Sequence, residues 1–292
     1  MSKHILITGC STGFGFDAAK HFAKQGHQVY ATMRNVATRN AAAAAALRSF
    51  AAQQKVQLAV QEMDVTSDAS VAAAMQAIPR VDVLINNAGL GYGGPAESFT
   101  SQQVLAQLDL NVVGPLRVAK AVLPGMRARK SGLLIQVSSI AGRGAFPGFG
   151  VYHASKWGLE GLSEAMRYEL APLGIDVAIV EPGPFSTNFF PNLIAGADTE
   201  AAAGYPHCAE FGAEFQQMVL GLFADDKAPT DPKLVVEAFD ALVAMAPGTR
   251  PLRTIVGLDF GLQAMNDAIE PVRKDILAAM KIAAWDGVQA GK

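Results

Sequence analysis

The sequence predicts an α/β protein built on a doubly wound, predominantly parallel seven-stranded sheet with helices on both faces. Three observations predict it. Short apolar runs recur along the chain, helix-length stretches separate them, and the first run, HILIT (4–8), leads directly into the glycine-rich turn TGCSTGFG (8–15). Strands joined by helix-length crossovers form βαβ units, and right-handed units of this kind wind a parallel sheet that is buried on both faces.

Each element has its own justification. After HILIT, the spacing of Phe14, Ala18, Phe22 and Gln25 predicts a helix, which Gly26 ends. QVYATM (28–33) is the second strand, and the alanine run 41–46 favours a helix before the third strand, 56–65. VDVLINNAG (81–89) is the fourth strand. A long helical stretch through 101–129, with a break at Pro115, leads to LLIQVSS (133–139). A helix over 152–171 precedes the strand IDVAIVEPG (175–183), and TIVGLD (254–259) with a terminal helix at 263–285 completes the pattern. Residues 184–232 break the rhythm with aromatics, Pro/Gly turns and a mixed helical stretch. One domain over 1–292 with an inserted substrate lid at 184–232 fits this better than two domains.

Composition excludes several function classes. The chain is 50% hydrophobic and 17% charged with a formal net charge of -2, and it has no basic stripe, which argues against a nucleic-acid partner. Cys10 and Cys208 make no disulfide framework, and with so few histidines they make no zinc site, so no metal is expected. No apolar run reaches membrane-spanning length, and Thr8 and Gly9 interrupt the N-terminal one too early for a signal peptide. A cytoplasmic protein with no membrane partner is the expectation.

In such a fold the loop after the first strand faces the cofactor. Gly9 permits a tight turn, Gly13 a close backbone approach to a pyrophosphate, and Gly15 close packing of the helix on the sheet. The spacing G-x-x-x-G-x-G lacks a P-loop lysine, and an ordinary surface turn remains an alternative. No carboxylate lies between residues 26 and 61 to hold a ribose 2′-hydroxyl, whereas Arg34 ends the second strand and offers a fork of donors to a 2′-phosphate. NADP(H) is therefore favoured over NAD(H). Arg39 and Arg48 are further cations in range.

YHASK (152–156) is the strongest local signal. Tyr152 and Lys156 share a helix face at a spacing of four, and a neighbouring ammonium lowers a phenol's pKa, which makes Tyr152 a usable acid or base. Ser138 and Ser139 end the fifth strand, at the edge where ligands bind. His153 points elsewhere on its helix, Trp157 is expected to pack, and Cys10 is expected to be a small filler.

With these residues in place, the chain resembles the short-chain dehydrogenase/reductase family, a Rossmann-type fold, and most closely its 17β-hydroxysteroid and retinol dehydrogenase branch. TGCSTGFG, YATMRN, MDV, NNAG, LNVVG, QVSSIAG, YHASKWGLEG and EPGPFST carry the resemblance, in the family's order, across residues 5–187. It implies that Ser139 positions the substrate oxygen, Tyr152 transfers the proton, Lys156 tunes the tyrosine and contacts the nicotinamide ribose, and Asn111 supports a proton relay. It implies cofactor contacts from Gly9, Ser11, Thr12, Gly13, Phe14 and Gly15 in the turn, and from Arg34 at the second strand's end. Asp64 and Val65 would lie near the adenine, with Asn87, Ala88 and Gly89 along the cofactor. Pro182, Gly183 and Thr187 would meet the nicotinamide. Thr12 stands where NADP-using members often carry a basic residue.

The function expected is hydride transfer between NADP(H) and a hydrophobic ketone or secondary alcohol, steroid-like or aromatic. Phe146, Phe149, Phe185, Phe189 and Phe190 are the expected substrate wall, with Tyr205, Phe211 and Phe215 further along; Arg143 and His207 would favour a more polar substrate. An NAD-dependent alcohol dehydrogenase of the same fold and a non-catalytic dinucleotide sensor are the alternatives. The resemblance also implies a homodimer or homotetramer.

Overall fold

The alternating apolar runs become the strands of one sheet. The computed structural model describes residues 2–289 and contains β1 (His4–Ile7), β2 (Gln28–Met33), β3 (Leu58–Glu62), β4 (Val83–Asn86), β5 (Gly132–Val137), β6 (Ile175–Pro182) and β7 (Arg253–Val256). Their order is β3-β2-β1-β4-β5-β6-β7, and every pairing is parallel. The order reverses between β1 and β4, where Ile5 lies opposite Val29 on one side and Val83 on the other. That reversal opens a crevice at the carboxyl ends of the strands.

Burial on both faces explains why the strands read as continuous apolar runs. In β1, Ile5 and Ile7 join a core with Phe22, Leu47 and Phe239, whereas Leu6 points through the sheet into a second core with Leu84, Val118, Met126 and Leu134. The first core lies under α1 (Gly13–Lys24), α2 (Ala41–Gln54) and α9 (Lys233–Ala244). The second lies under α3 (Asp68–Gln76), α5 (Gly114–Arg129) and α6 (Gly150–Leu170). In α1, Ala18 and Phe22 are buried as their spacing implies, Gln25 is exposed, and Gly26 leaves the helix with φ +84°.

Most strands end before their apolar runs do, β3, β4 and β7 by three residues. Past Glu62 and Asn86 the chain leaves the sheet, and Met63–Val65 and Asn87–Gly89 line the crevice instead. The expected break at Pro115 takes another form. α4 (Ser101–Leu108) runs into a wider π-turn, Asp109–Val113, in which the Gly114 N–H bonds the Asp109 carbonyl, and α5 follows without interruption. Proline has no N–H to give the carbonyl four residues earlier, that of Asn111, and the wider turn absorbs the mismatch. Trp157 does not pack: it is 49% exposed.

The segment after β6 folds over the crevice. Its short helices are α7 (Thr199–Ala203) and the longer α8 (Pro206–Phe223), and α10 (Leu262–Ala279) closes the fold. Ile194–Ala195 pairs in parallel with Tyr92–Gly93, a two-residue ladder too short to leave a pattern in the sequence. Phe22 is fully buried between α1 and the sheet, so Phe22→Ala should lower the unfolding free energy by about 3–5 kcal/mol, read from denaturant midpoints at unchanged m-value.

Candidate active site

The glycine turn is held by a small set of hydrogen bonds between β1 and β4. The buried Thr8 hydroxyl accepts the N–H groups of Asn87 (3.0 Å) and Ala88 (3.0 Å), and the Asn87 side chain donates to the carbonyls of Thr8 (2.9 Å) and Gly9 (3.2 Å). A Cβ on Gly9 would lie 2.7 Å from the Ala88 Cα, and one on Gly15 would lie 2.5 Å from the Asn87 amide nitrogen. No side chain can therefore stand at either position without moving backbone or the tie itself. Thr12 makes no side-chain cap on α1, and the first turn carries no acidic residue, so its N–H groups and the positive helix end suit an anionic ligand. Cys10 is a filler here: it is fully buried, its thiol donates to the Ile7 carbonyl (3.3 Å), and burial pushes its pKa to about 12.

A cavity of about 730 Å³ runs from this turn over the strand ends. Ser11, Thr12, Gly13 and Phe14 line it with Gly9, while Gly15 supports the turn from behind. Arg34 is exposed at the rim and makes no ion pair among the described residues; the Asn40 amide holds its carbonyl at 2.6 Å. Asp64 and Val65 line the same wall. Asp64 also accepts from its own turn, from the Thr66 N–H (3.0 Å) and hydroxyl (2.7 Å). Burial raises its pKa, but those bonds and the charge of Arg34 and Arg117 outweigh it and hold the carboxyl below its ordinary range. Pro182, Gly183 and Thr187 lie at the far end, with the Thr187 methyl 3.7 Å from where a Cβ on Gly13 would stand.

Ser139, Tyr152 and Lys156 meet in this cavity, with Asn111 directly behind its Gly89 wall. Tyr152 and Lys156 are buried on one face of α6, with the Lys156 Nζ 5.7 Å from the phenol ring centre and donating to the Val137 carbonyl at 2.9 Å. Ser139 follows the end of β5, receives the Ala141 N–H (3.1 Å) and donates to the Pro182 carbonyl (3.4 Å), and its hydroxyl lies near enough to the Tyr152 phenol to favour its ionised form. Asn111 sits in the π-turn; its amide donates to the Leu90 carbonyl and the Ser155 hydroxyl, both at 3.0 Å. A Cβ on Gly89 would touch both the Asn111 Oδ1 (3.2 Å) and the Lys156 Nζ (3.8 Å), so these two groups flank one glycine. Charge and burial compete at the phenol. The spacing alone suggests a pKa lowered by the ammonium, but burial pushes Tyr152 up to about 12, against the opposing effect of the Ser139 hydroxyl. The same burial pulls Lys156 down to about 8, against the charge of Glu160.

Aromatic rings close the other end. Phe189 lies 5.3 Å from the Tyr152 ring, and Phe190 packs edge-on against Phe189 at 5.4 Å. Phe146 and Phe149 meet Phe215 at 6.5 and 6.1 Å. Phe185 is 3% exposed and packs edge-on to Phe14, so it forms the floor rather than the open wall. Phe215 and Phe260 bear on the wall more directly than Tyr205, whose hydroxyl turns away to Glu97 at 2.6 Å. Arg143 faces Glu181 and Asn266 and leaves the cavity apolar on that side. Sequence reasoning missed Thr8, Asn40 and Phe260. Thr8 acts through hydrogen bonds between strands distant in sequence, Asn40 through a side-chain bond to the Arg34 carbonyl in its own loop, and Phe260 reaches the site from beyond β7, so neither period nor spacing reveals them.

Similarity to known proteins agrees with this geometry. A family model described as short chain dehydrogenase matches residues 3–197. A 3-ketodihydrosphingosine reductase of Bacteroides thetaiotaomicron is 42% identical over 192 residues, which are 64% of this chain and 66% of that protein. Retinol dehydrogenase 8 of Homo sapiens is 40% identical over 197 residues, 66% of this chain and 62% of its own. The match thus spans somewhat under two thirds of both proteins. 17-beta-hydroxysteroid dehydrogenase type 1 of Mus musculus is 34% identical over 294 residues, covering 98% of this chain and 82% of that one. Among solved structures, a short-chain dehydrogenase from Streptomyces avermitilis superposes with a TM-score of 0.74 at 33% identity, covering 97% of each chain. A variant actinorhodin polyketide ketoreductase solved with NADPH superposes at 0.68 and 26% identity, covering 89% of this chain and 97% of that one.

His153 holds the aromatic wall in place and does no chemistry on this geometry. Its Nε2 accepts the Phe146 N–H (2.9 Å) and its Nδ1 donates to the Ala141 carbonyl (2.9 Å), an arrangement only the neutral ring can make. Burial keeps its pKa below the ordinary 6.5. Below that value the unfolded chain takes up a proton that the folded ring resists, so this contribution is present above 6.5 and is lost as pH falls. His153→Gln, neutral at every pH, should flatten that part of the acid slope when urea midpoints are compared at about pH 7.5 and about pH 5.5.

Proposed function

The chain belongs to the short-chain dehydrogenase family, and from that premise we propose that it is an oxidoreductase moving a hydride between NADP(H) and a bulky hydrophobic ketone or secondary alcohol, steroid-like or aromatic. The observation that carries the reading is one cavity that joins a glycine-lined anion cradle, a group of Ser139 with the buried Tyr152 and Lys156, and an aromatic wall. Its volume of about 730 Å³ lies in the range of ligand sites that enclose most of a bound molecule.

Gly9, Ser11, Thr12 and the first turn of α1 would hold the pyrophosphate, Arg34 a 2′-phosphate, Asp64 and Val65 the adenine side, and Gly183 and Thr187 the nicotinamide. When bound, the nicotinamide supplies or accepts the hydride. The chain's own residues handle the oxygen and its proton. Ser139 and Tyr152 present two hydroxyls to a substrate oxygen, and these bonds strengthen as negative charge grows there. A phenol pushed up to about 12 is fully protonated at neutral pH, so Tyr152 is ready to donate in the reductive direction. The phenolate that forms lies close to the Lys156 ammonium, which stabilises it. Asn111 supports the lysine side. Its carbonyl lacks the usual helical donor because Pro115 has no N–H, which leaves an acceptor for a proton relay at this end of the site.

The aromatic wall selects for apolar bulk. Phe189, Phe190, Phe146, Phe149 and Phe215 present ring faces and edges above Tyr152, and the nearest charged side chain of the loop, Arg143, is turned away. The relatives named for ketosphingosine, retinol and hydroxysteroid substrates support the same class. Arg34 and the relative solved with NADPH support NADP(H).

A cofactor-consumption screen tests the reading. NADPH and NADH are paired with steroid, aromatic, quinone and aliphatic carbonyls, and with the matching alcohols in reverse. NADPH oxidation with a bulky apolar ketone is the expected result, and turnover confined to small charged carbonyls would overturn it. Tyr152→Phe should lower kcat by at least about 100-fold with little change in NADPH affinity measured by fluorescence. Arg34→Ala should raise the KM for NADPH by roughly tenfold or more and leave that for NADH nearly unchanged.

A further inference from the structure

A buried acidic pair lies directly behind the active site. Glu160 stands one helical turn beyond Lys156 on α6, Glu181 stands near the end of β6, and both carboxyls are almost wholly shielded from solvent. They meet at one guanidinium nitrogen, Arg253 Nε, which lies 2.8 Å from Glu160 Oε2 and 3.5 Å from Glu181 Oε1, and each keeps one oxygen, Oε1, that makes no hydrogen bond among the described residues. Their other oxygens are served. Arg253 Nε donates to Glu160 Oε2 at 2.8 Å, and the Asn266 amide donates to Glu181 Oε2 at 2.6 Å. Arg253 also reaches Glu164 (2.6 Å) and lies 3.5 Å from Glu181 Oε1, while Arg143 stands 4.0 Å from that same oxygen. Three carboxyls, Glu160, Glu164 and Glu181, thus crowd two guanidiniums, Arg143 and Arg253.

Two buried carboxylates that share one guanidinium nitrogen repel each other strongly, and one proton held by the pair relieves that repulsion. We propose that Glu160 and Glu181 share a single proton carried on Glu181, and that the charge left on Glu160 is a positioning element that holds Lys156 in its ammonium form. This rests on the assignment of Lys156 as partner of Tyr152. The other groups facing the Lys156 Nζ are the Val137 carbonyl, the Tyr152 ring and the Asn111 side chain, none of them charged while the phenol is protonated. Burial draws Lys156 down to about 8, and Glu160 is the group that pulls it back. Glu160 has the charged Arg253 donor at 2.8 Å whereas the close donor of Glu181 is the neutral Asn266 amide, and burial followed by the neighbouring Glu160 raises the Glu181 pKa, so the proton goes to Glu181. The network also touches the serine end of the site. The Ser138 hydroxyl is buried without a partner, and it and Glu160 Oε1 lie 2.7 and 3.1 Å from the point where a Cβ on Gly142 would stand.

Competitive acetylation with acetic anhydride, read lysine by lysine by mass spectrometry on the full chain without cofactor or substrate, gives the titration midpoint of Lys156. Glu160→Gln should lower that midpoint by about 1 pH unit or more. Glu181→Gln, whose amide donates to Glu160 as the acid does, should leave it in place. An unchanged midpoint in Glu160→Gln overturns the coupling, and an equal fall in Glu181→Gln overturns the placement of the proton. If Glu160→Gln does not fold, infrared spectroscopy of the wild-type protein decides: a neutral carboxylic acid band at pH 7 that disappears in Glu181→Gln is expected, and its absence overturns the proposal. In turnover, the loss of activity with rising pH should move to lower pH in Glu160→Gln. A wild-type protein without NADPH-linked turnover would sink the functional reading, while the acetylation result would still decide this one.

Discussion

The tie between the carboxyl ends of β1 and β4 is the constraint on which the rest depends. Thr8 and Asn87 lock the glycine turn against Ala88 at the point where the strand order reverses. With the two backbones this close, α1 must start at the crevice, and its N-terminal amides must face whatever occupies it. A parallel sheet buried on both faces has few edges at which a polar ligand can bind, and this reversal supplies one. The cavity therefore follows from topology before any catalytic side chain is considered.

Burial sets the chemistry inside that cavity. It disfavours the phenolate of Tyr152 and the ammonium of Lys156 together, so the free protein rests with a firmly protonated phenol beside an ammonium that gives up its proton more easily than usual. A helical spacing of four residues brings the two groups together, but it cannot say which term wins. Depth in the sheet and the carboxylate one turn further along α6 decide that. The π-turn before Pro115 belongs to the same economy of position. It sets Asn111 against Leu90 and Ser155, behind the lysine, where a regular helical turn would rotate it away.

The apolar half of the site is assembled from distant pieces. Phe146 and Phe149 come from the loop before α6, Phe189 and Phe190 from the segment after β6, Phe215 from α8 and Phe260 from the turn after β7. His153 ties the first of these to the helix that carries Tyr152, so the aromatic wall and the phenol share one support. Ile194–Ala195, paired with Tyr92–Gly93, anchors the covering segment on the opposite side.

Much of this was legible in the amino-acid order. Apolar runs separated by helical stretches determined the seven parallel strands, and the Gly9–Gly15 turn, Ser139, and the Tyr152–Lys156 spacing marked the edge where the cavity opens, because backbone period and turn chemistry are local properties. Tertiary structure alone decided that Phe185 is floor and Phe215 is wall, that Trp157 faces solvent, that Thr8 ties two strands, and that Glu160 meets Glu181. Those outcomes depend on which surfaces meet after the chain has crossed the sheet, and on the desolvation that follows, and neither is encoded at short range.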